Sequence, residues 1–244
     1  MLRRFLIAVL IFLLAVVVAV DRLGAIVAAH VLAGKVQTDE HLADRPEASI
    51  GGFPFLTQAA GGDYKNVTVK VVDLVVDGLT VSSLTANLHG AHVPFSKALR
   101  STVSQVPVDR VSATAIVSVA NINSYLSTRS PAGQRISLRA ASGDRATVVD
   151  RVRVGKKTAI LQGVAALSLS GDEVKVGVSQ LQRAPASPVA VGAALIRSTL
   201  RSLKVALPLR GLPFQISLDS VTFTTAGVTV TGSATDIVLG TTPA

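Results

Sequence analysis

Sixteen consecutive apolar residues, Phe5 to Val20, follow the basic start Met1-Leu2-Arg3-Arg4 and are closed by Asp21 and Arg22. A run of this kind behind a positively charged end is read by the export machinery as a signal or a signal anchor, with the arginines held on the cytoplasmic side. It is longer than the roughly 7–15 residues of an ordinary signal core and shorter than the roughly 20 residues of a full span. The stretch Val18-Ala19-Val20 places β-branched residues where signal peptidase needs small ones, so an uncleaved or inefficiently cleaved anchor is favoured. The expected organisation is a signal peptide or signal anchor over 1–22 and a single α+β domain over 23–244, on the periplasmic side of the inner membrane of a cell envelope, anchored or secreted. Two arginines at such a start are too common to mark twin-arginine export. With no cysteine in the chain, lipoprotein-type attachment, disulfides and thiolate metal ligands are excluded.

The exported part has the means to build a large core. Apolar residues make up 49% of the 244 and charged residues only 16%, and the apolar content is mainly Val, Ala and Leu with Thr and Ser between them, a mixture that suits strands. The formal charge is +9, and residues 46–244 carry 19 Lys and Arg against 11 Asp and Glu, so the partner should be anionic. Nucleic acid is a poor candidate because the chain has no Trp, two Tyr and no interleaving of aromatic with basic residues for base stacking. An anionic lipid headgroup or membrane surface suits an exported basic protein better.

Periodicity places the elements. Leu23, Ile26, Val27, Val31 and Val36 recur at helical spacing, with charges at Lys35, Asp39 and Glu40, and Pro46 closes that segment. From Ile50 the period becomes two: Val67, Val69 and Val71, then Leu74 and Val76, turn at Asp77-Gly78 into a return strand over Leu79 to Leu88. One helical turn is expected around Pro94 to Arg100, a strand from Val111 to Ser118, and a short helix from Asn121 to Ser127 with Asn121 or Asn123 near its cap. Four strands follow at Arg135–Leu138, Ala146–Val154, Thr158–Leu169 and Glu173–Leu181, with Gly143-Asp144, Gly155-Lys156 and Gly171-Asp172 at their turns. Ile196, Leu200, Leu203 and Leu207 describe a second helix whose adjoining face carries Arg197, Arg201 and Lys204. Gln215–Thr224, a turn at Ala226-Gly227 and Val228–Leu239 make a final hairpin. The connections are hairpin-short, which forces antiparallel pairing in an α+β domain with no internal linker.

Three of the seven phenylalanines directly follow proline: Phe55 in Phe53-Pro54-Phe55, Phe95 and Phe214. Proline fixes its own φ and extends the residue before it, so each ring is aimed from a rigid element end. Such rings either plug the ends of a core or line the mouth of an apolar cavity. In the second case Phe53, Phe55, Phe95, Phe214, Leu200 and Leu203 contact lipid, and Arg197, Arg201 and Lys204 hold the headgroup.

The segment Gly52-Phe53-Pro54-Phe55-Leu56-Thr57-Gln58, the glycine-rich spacer and Tyr64 after it, the valine-rich strand that follows, and Leu209-Arg210-Gly211-Leu212-Pro213-Phe214 before the last hairpin resemble the actinobacterial LmeA family of envelope phospholipid-binding proteins. The resemblance spans nearly the whole chain after the apolar run. It implies an envelope protein that binds phospholipid and supports envelope lipid or lipoglycan maintenance, with phospholipase-type acyl ester hydrolysis associated with the family. It also implies a fold similar to tubular, BPI-like lipid-binding domains, in which a curved antiparallel sheet wraps a long helix and leaves an apolar groove.

Three readings compete. The first is a phospholipid-binding module. The second is a phospholipase of the same fold, which needs an activated nucleophile with a base in reach. No Gly-x-Ser-x-Gly elbow is present, and the candidate bases His89 and His92 have no carboxylate within ten residues in sequence, so a partner such as Asp73 or Asp77 would have to be brought by the fold. No catalytic residue is assigned. The third is a structural envelope protein whose closed core carries a basic face, drawn from the seven Lys and Arg between Arg135 and Lys157. No nucleotide loop, EF-hand or cysteine metal site is present, and no cofactor or metal is expected.

Overall fold

The computed structural model describes residues 2–94, 96–97, 103, 105–129, 134–142, 145–170, 173–202, 205–207 and 216–240. In chain order the elements are α1 (Leu2–Asp39), β1 (Glu47–Gly51), α2 (Phe55–Gly61), β2 (Asp63–Val76), β3 (Leu79–His92), β4 (Gln105–Val117), α3 (Val119–Arg129), β5 (Gln134–Ser142), β6 (Arg145–Val154), β7 (Lys157–Ser170), β8 (Glu173–Arg183), α4 (Ala193–Ser202), β9 (Val205–Leu207), β10 (Ser217–Thr224) and β11 (Gly227–Gly240). The class is α+β with a large antiparallel sheet and an N-terminal apolar helix. Strands hydrogen-bond in the orders β1-β2-β3-β4-β11-β10 and β5-β6-β7-β8-β9. The chain forms two compact units, one of Met1–Val71, Thr85–Ser112 and Ala234–Ala244 and the other of Val72–Leu84 and Ala113–Ser233. It passes between them inside β2, β3, β4 and β11.

In the first unit the apolar run and the helical segment after it are one continuous helix, α1, which by length and composition can cross a membrane. Leu2 to Val20 are exposed, whereas Asp21, Ala25, Ala29 and Ala33 are buried at four-residue steps, one face of a helix. Their small side chains let β1 and α2 approach α1 closely. At Gly24 the approach is tightest, because a methyl group there would stand 3.2 Å from Phe55 Cε1. The helix α2 was not foreseen, since seven residues are too few to show a period. Its start at Pro54 offers no side-chain cap, and Asp21 supplies one from α1, accepting the Leu56 N–H at Oδ1 over 2.8 Å. Gly62, in the left-handed region at φ 76°, stops the helix. Buried Gln58 fixes α2 to its flanking strands, accepting the Lys65 N–H at 2.9 Å and donating to the Gly51 and Pro54 carbonyls at 3.4 Å.

In the second unit, α3 is capped by Ser118 rather than by Asn121 or Asn123. The Ser118 Oγ accepts the Asn121 N–H at 3.1 Å, the usual reach from a cap to the third helical residue. This frees the two asparagines to bind strands. Asn121 Nδ2 donates to the Thr80 carbonyl and to Ser82 Oγ at 3.0 and 3.1 Å. Asn123 takes both backbone groups of Leu138, donating to its carbonyl at 3.0 Å and accepting its N–H at 2.6 Å. Strands β5 to β9 pair antiparallel in sequence order, with Gly155-Lys156 as the β6–β7 turn. The second helix is shorter than the leucine spacing predicts. It ends at Ser202, and Leu207 lies on β9 paired with Val174, so the face packed inward is set by Leu195, Ile196 and Thr199. The expected turns at Gly143-Asp144 and Gly171-Asp172 and most of Pro94–Arg100 lie outside the described residues.

Candidate functional site

Within the second unit, Ile122 and Leu126 of α3, Ile136 and Leu138 of β5, Val148 of β6, Leu167 of β7, Val176 and Val178 of β8, Phe223 of β10 and Val228 of β11 surround an apolar cavity of about 20 Å³. Strand register explains how six strands and a helix supply a purely hydrocarbon wall. Leu138 pairs with Val148, Ala165 with Val178 and Leu167 with Val176; residues directly opposite each other share a face, and the face repeats every second residue. The space suffices for a methyl group or a water. Further along the same sheet, Val152, Leu161 and Leu181 form a buried cluster covered by Ile136, Val178, Val191, Leu195 and Ile196.

That inner face also carries a carboxylate. Asp150 is fully buried, pairs with Ile136 and Leu161, and neither carboxylate oxygen has a hydrogen-bond partner. Burial raises its pKa above the ordinary carboxylate range, against a weaker opposite pull from the backbone N–H groups of Arg135 and Arg151.

The opposite face of the sheet is cationic. Arg135 stands directly across from Arg151, and Arg139, Arg145 and Arg153 fall on the same side by alternation. Like charges placed opposite each other on a sheet destabilise it. Among the described residues none of these five guanidinium groups has an ion-pair partner, and no Asp or Glu on β5 to β7 shares their face.

In the first unit the fold gives His92 what the sequence did not. Asp63 of β2 and Asp109 of β4 flank it on β3, at 2.7 Å from Nδ1 and 3.0 Å from Nε2. The hydrogen bonds to Asp63 and then Asp109 raise the imidazole pKa above its ordinary value. Doubly protonated, the ring donates to both carboxylates and keeps no lone pair, so a hydroxyl nucleophile would have to displace one of them before His92 could act as a base. Asp73 and Asp77 are not its partners.

The residues singled out from sequence are dispersed. Phe55 is buried against Gly24 and against Tyr64, ring centroids 6.3 Å apart, whereas Phe53 is 51% exposed with the Arg22 guanidinium 5.2 Å above its ring. Both belong to the first unit. On α4, Arg197 and Arg201 are exposed and Leu200 is 37% exposed. Phe95, Leu203, Lys204 and Phe214 lie outside the described residues. The cavity wall and Asp150 were not singled out, although Val148-Asp150-Val152, a charge at an apolar position of an alternating strand, was a signal available in sequence.

No curated protein and no solved structure matches the chain. The model of one family, LmeA-like phospholipid-binding, matches residues 19–233 of the 244, beginning where α1 leaves the apolar run and covering the cavity wall, Asp150 and the arginine face; the chain belongs to the LmeA-like phospholipid-binding family.

Proposed function

We propose that this is a membrane-anchored envelope protein that takes up phospholipid, with acyl chains held against the apolar inner face of the β5–β9 sheet. Family membership carries the reading, and the hydrocarbon wall between α3 and that sheet supports it as the place where chains insert. The five arginines lie on the other face of the sheet, so they suit a membrane surface with anionic lipids better than the headgroup of a lipid inside. For that headgroup the better candidates are Arg197 and Arg201. They stand on the exposed side of α4, whose Leu195 and Ile196 pack on the inner-face cluster.

The anchor itself supports a bilayer location outside the cytoplasm. On α1, Leu23, Ile26, Val27 and Val31 are each more than half exposed, so an apolar stripe continues past the run that ends at Val20. At 1.5 Å per residue, Phe5 to Val31 extends about 39 Å, close to the ~40–45 Å of a bilayer with its headgroup layers.

Native mass spectrometry of the full chain, extracted from membranes in mild detergent, tests the reading. Bound diacyl phospholipid near one per chain is expected, with reloading from vesicles after stripping. A stripped chain that never reloads overturns it.

A further inference from the structure

Asp150 is an unusual residue to find where it is. Its neighbours along β6 on the same face are Val148, which lines the cavity, and Val152, which belongs to the buried cluster; its partners across the strands are Ile136 and Leu161. A carboxyl in such surroundings without a hydrogen-bond partner is destabilising, because it has lost water and gained only the weaker pull of the Arg135 and Arg151 backbone N–H groups. Valine there would match the rest of the face. The guanidinium groups give no relief, since alternation puts those of Arg135 and Arg151 on the other side of the sheet and Arg183, opposite Leu161, donates to the Ser187 carbonyl instead. In its neutral form the group is one O–H donor with acceptor capacity remaining, enclosed by aliphatic side chains. Its complement is an acceptor that arrives attached to hydrocarbon.

A diacyl phospholipid carries that group at the point where each chain joins the glycerol. We propose that Asp150 holds the ester region of the bound phospholipid, its carboxyl donating a hydrogen bond to an acyl-ester carbonyl while the chains lie along the Ile136, Leu138, Val148 and Val178 side of the sheet. The inference rests on the phospholipid-binding reading above and adds what the cavity wall alone cannot supply. A hydrocarbon wall recognises chains of any origin, whereas a buried donor selects lipids with a carbonyl at a fixed depth. It also sets how far the lipid enters, because the donor stands between the cavity and the Val152-Leu161-Leu181 cluster.

The test compares two synthetic probes with the same phosphoglycerol headgroup and chain length, a diacyl ester lipid and its dialkyl ether analogue, in equilibrium loading of the stripped full chain in detergent. The wild-type chain should favour the ester by about tenfold, the scale of a buried donor satisfied against one left empty. Asp150→Leu, which keeps the branching at Cγ and removes the donor, should lose that preference, binding the ester about tenfold more weakly than wild type while unfolding at the same or a higher temperature. Asp150→Asn, which keeps an N–H donor, should lose less. Equal loading of ester and ether by the wild-type chain overturns the proposal without needing any variant to fold, and so does an Asp150→Leu chain that keeps the ester preference. A wild-type chain that takes up neither probe overturns the phospholipid-binding reading itself, which separates that failure from a failure of the Asp150 assignment.

Discussion

His92 is a residue whose surroundings make it pH-sensitive. Its two carboxylate partners arrive from β2 and β4, strands on either side of its own, so the protonated ring joins three consecutive strands. Its folded pKa is raised above the ordinary 6.5, and a raised pKa means that the stabilisation is fully present below the unfolded value and is lost as pH rises through the folded one. The wild-type melting temperature should therefore fall as pH is taken from below 6.5 to well above it, and His92→Gln should remove that component of the slope. All three side chains are substantially exposed, with 44% of the His92 side chain open to solvent, so the difference will be small. Melting curves across pH for the two chains check it, and identical slopes count against the reading. Sequence spacing could not reveal this cluster, because Asp63 and Asp109 lie 29 and 17 residues from His92 and meet it only through strand pairing.

At the scale of the element, periodicity located α1 but not its packed face. Large apolar residues at helical spacing ordinarily mark the side turned to the core, yet here Leu23, Ile26, Val27 and Val31 are exposed and the alanines between them are buried. The physical reason is that α1 has two apolar faces: a protein face that must admit β1 and α2 closely, which only small residues allow, and a face continuous with the exposed apolar run Phe5–Val20. Ala29→Leu should consequently overpack the junction and destabilise by about 1–3 kcal/mol, whereas Val27→Ser, on the exposed face, should leave the unfolding midpoint nearly unchanged; denaturant titration of both measures it. The hairpins were more legible, because alternation of Val with Thr and Lys and a turn such as Asp77-Gly78 are local signals. The helix α2 was hidden by its length, with only the Pro54 start and Gly62 stop to mark it. The cavity wall was illegible for a different reason: its ten residues come from α3 and six strands, and ordinary Val, Leu and Ile do not announce which core they join.

For the molecule as a whole, the excess positive charge acquires a place. Composition gives a net +9 and an anionic partner in general terms, and register turns part of that excess into a surface, since Arg135, Arg139, Arg145, Arg151 and Arg153 share one face of the β5–β9 sheet. The pairing of Arg135 with Arg151 works against folding unless an anion lies over it, which makes the pair the sharpest probe of the surface. A basic side chain near an anionic leaflet contributes about 1 kcal/mol, so Arg135→Gln with Arg151→Gln should together weaken association by about 2 kcal/mol, roughly thirtyfold. Cosedimentation with vesicles must report this face and not the anchor, so the comparison is between vesicles with and without phosphatidylglycerol, using the full chain with its apolar segment held in a detergent-free nanodisc. The wild-type preference for anionic vesicles should fade as salt shortens the screening length from about 10 Å at 0.1 M towards 3 Å at 1 M. The double variant should keep only the weaker preference carried by Arg139, Arg145 and Arg153, and it should melt no lower than wild type, because removing two facing charges relieves repulsion when no lipid is present. A variant that keeps the full wild-type preference would move the docking surface elsewhere in the molecule, and one that loses stability would mean that the pair is held by contacts within the fold.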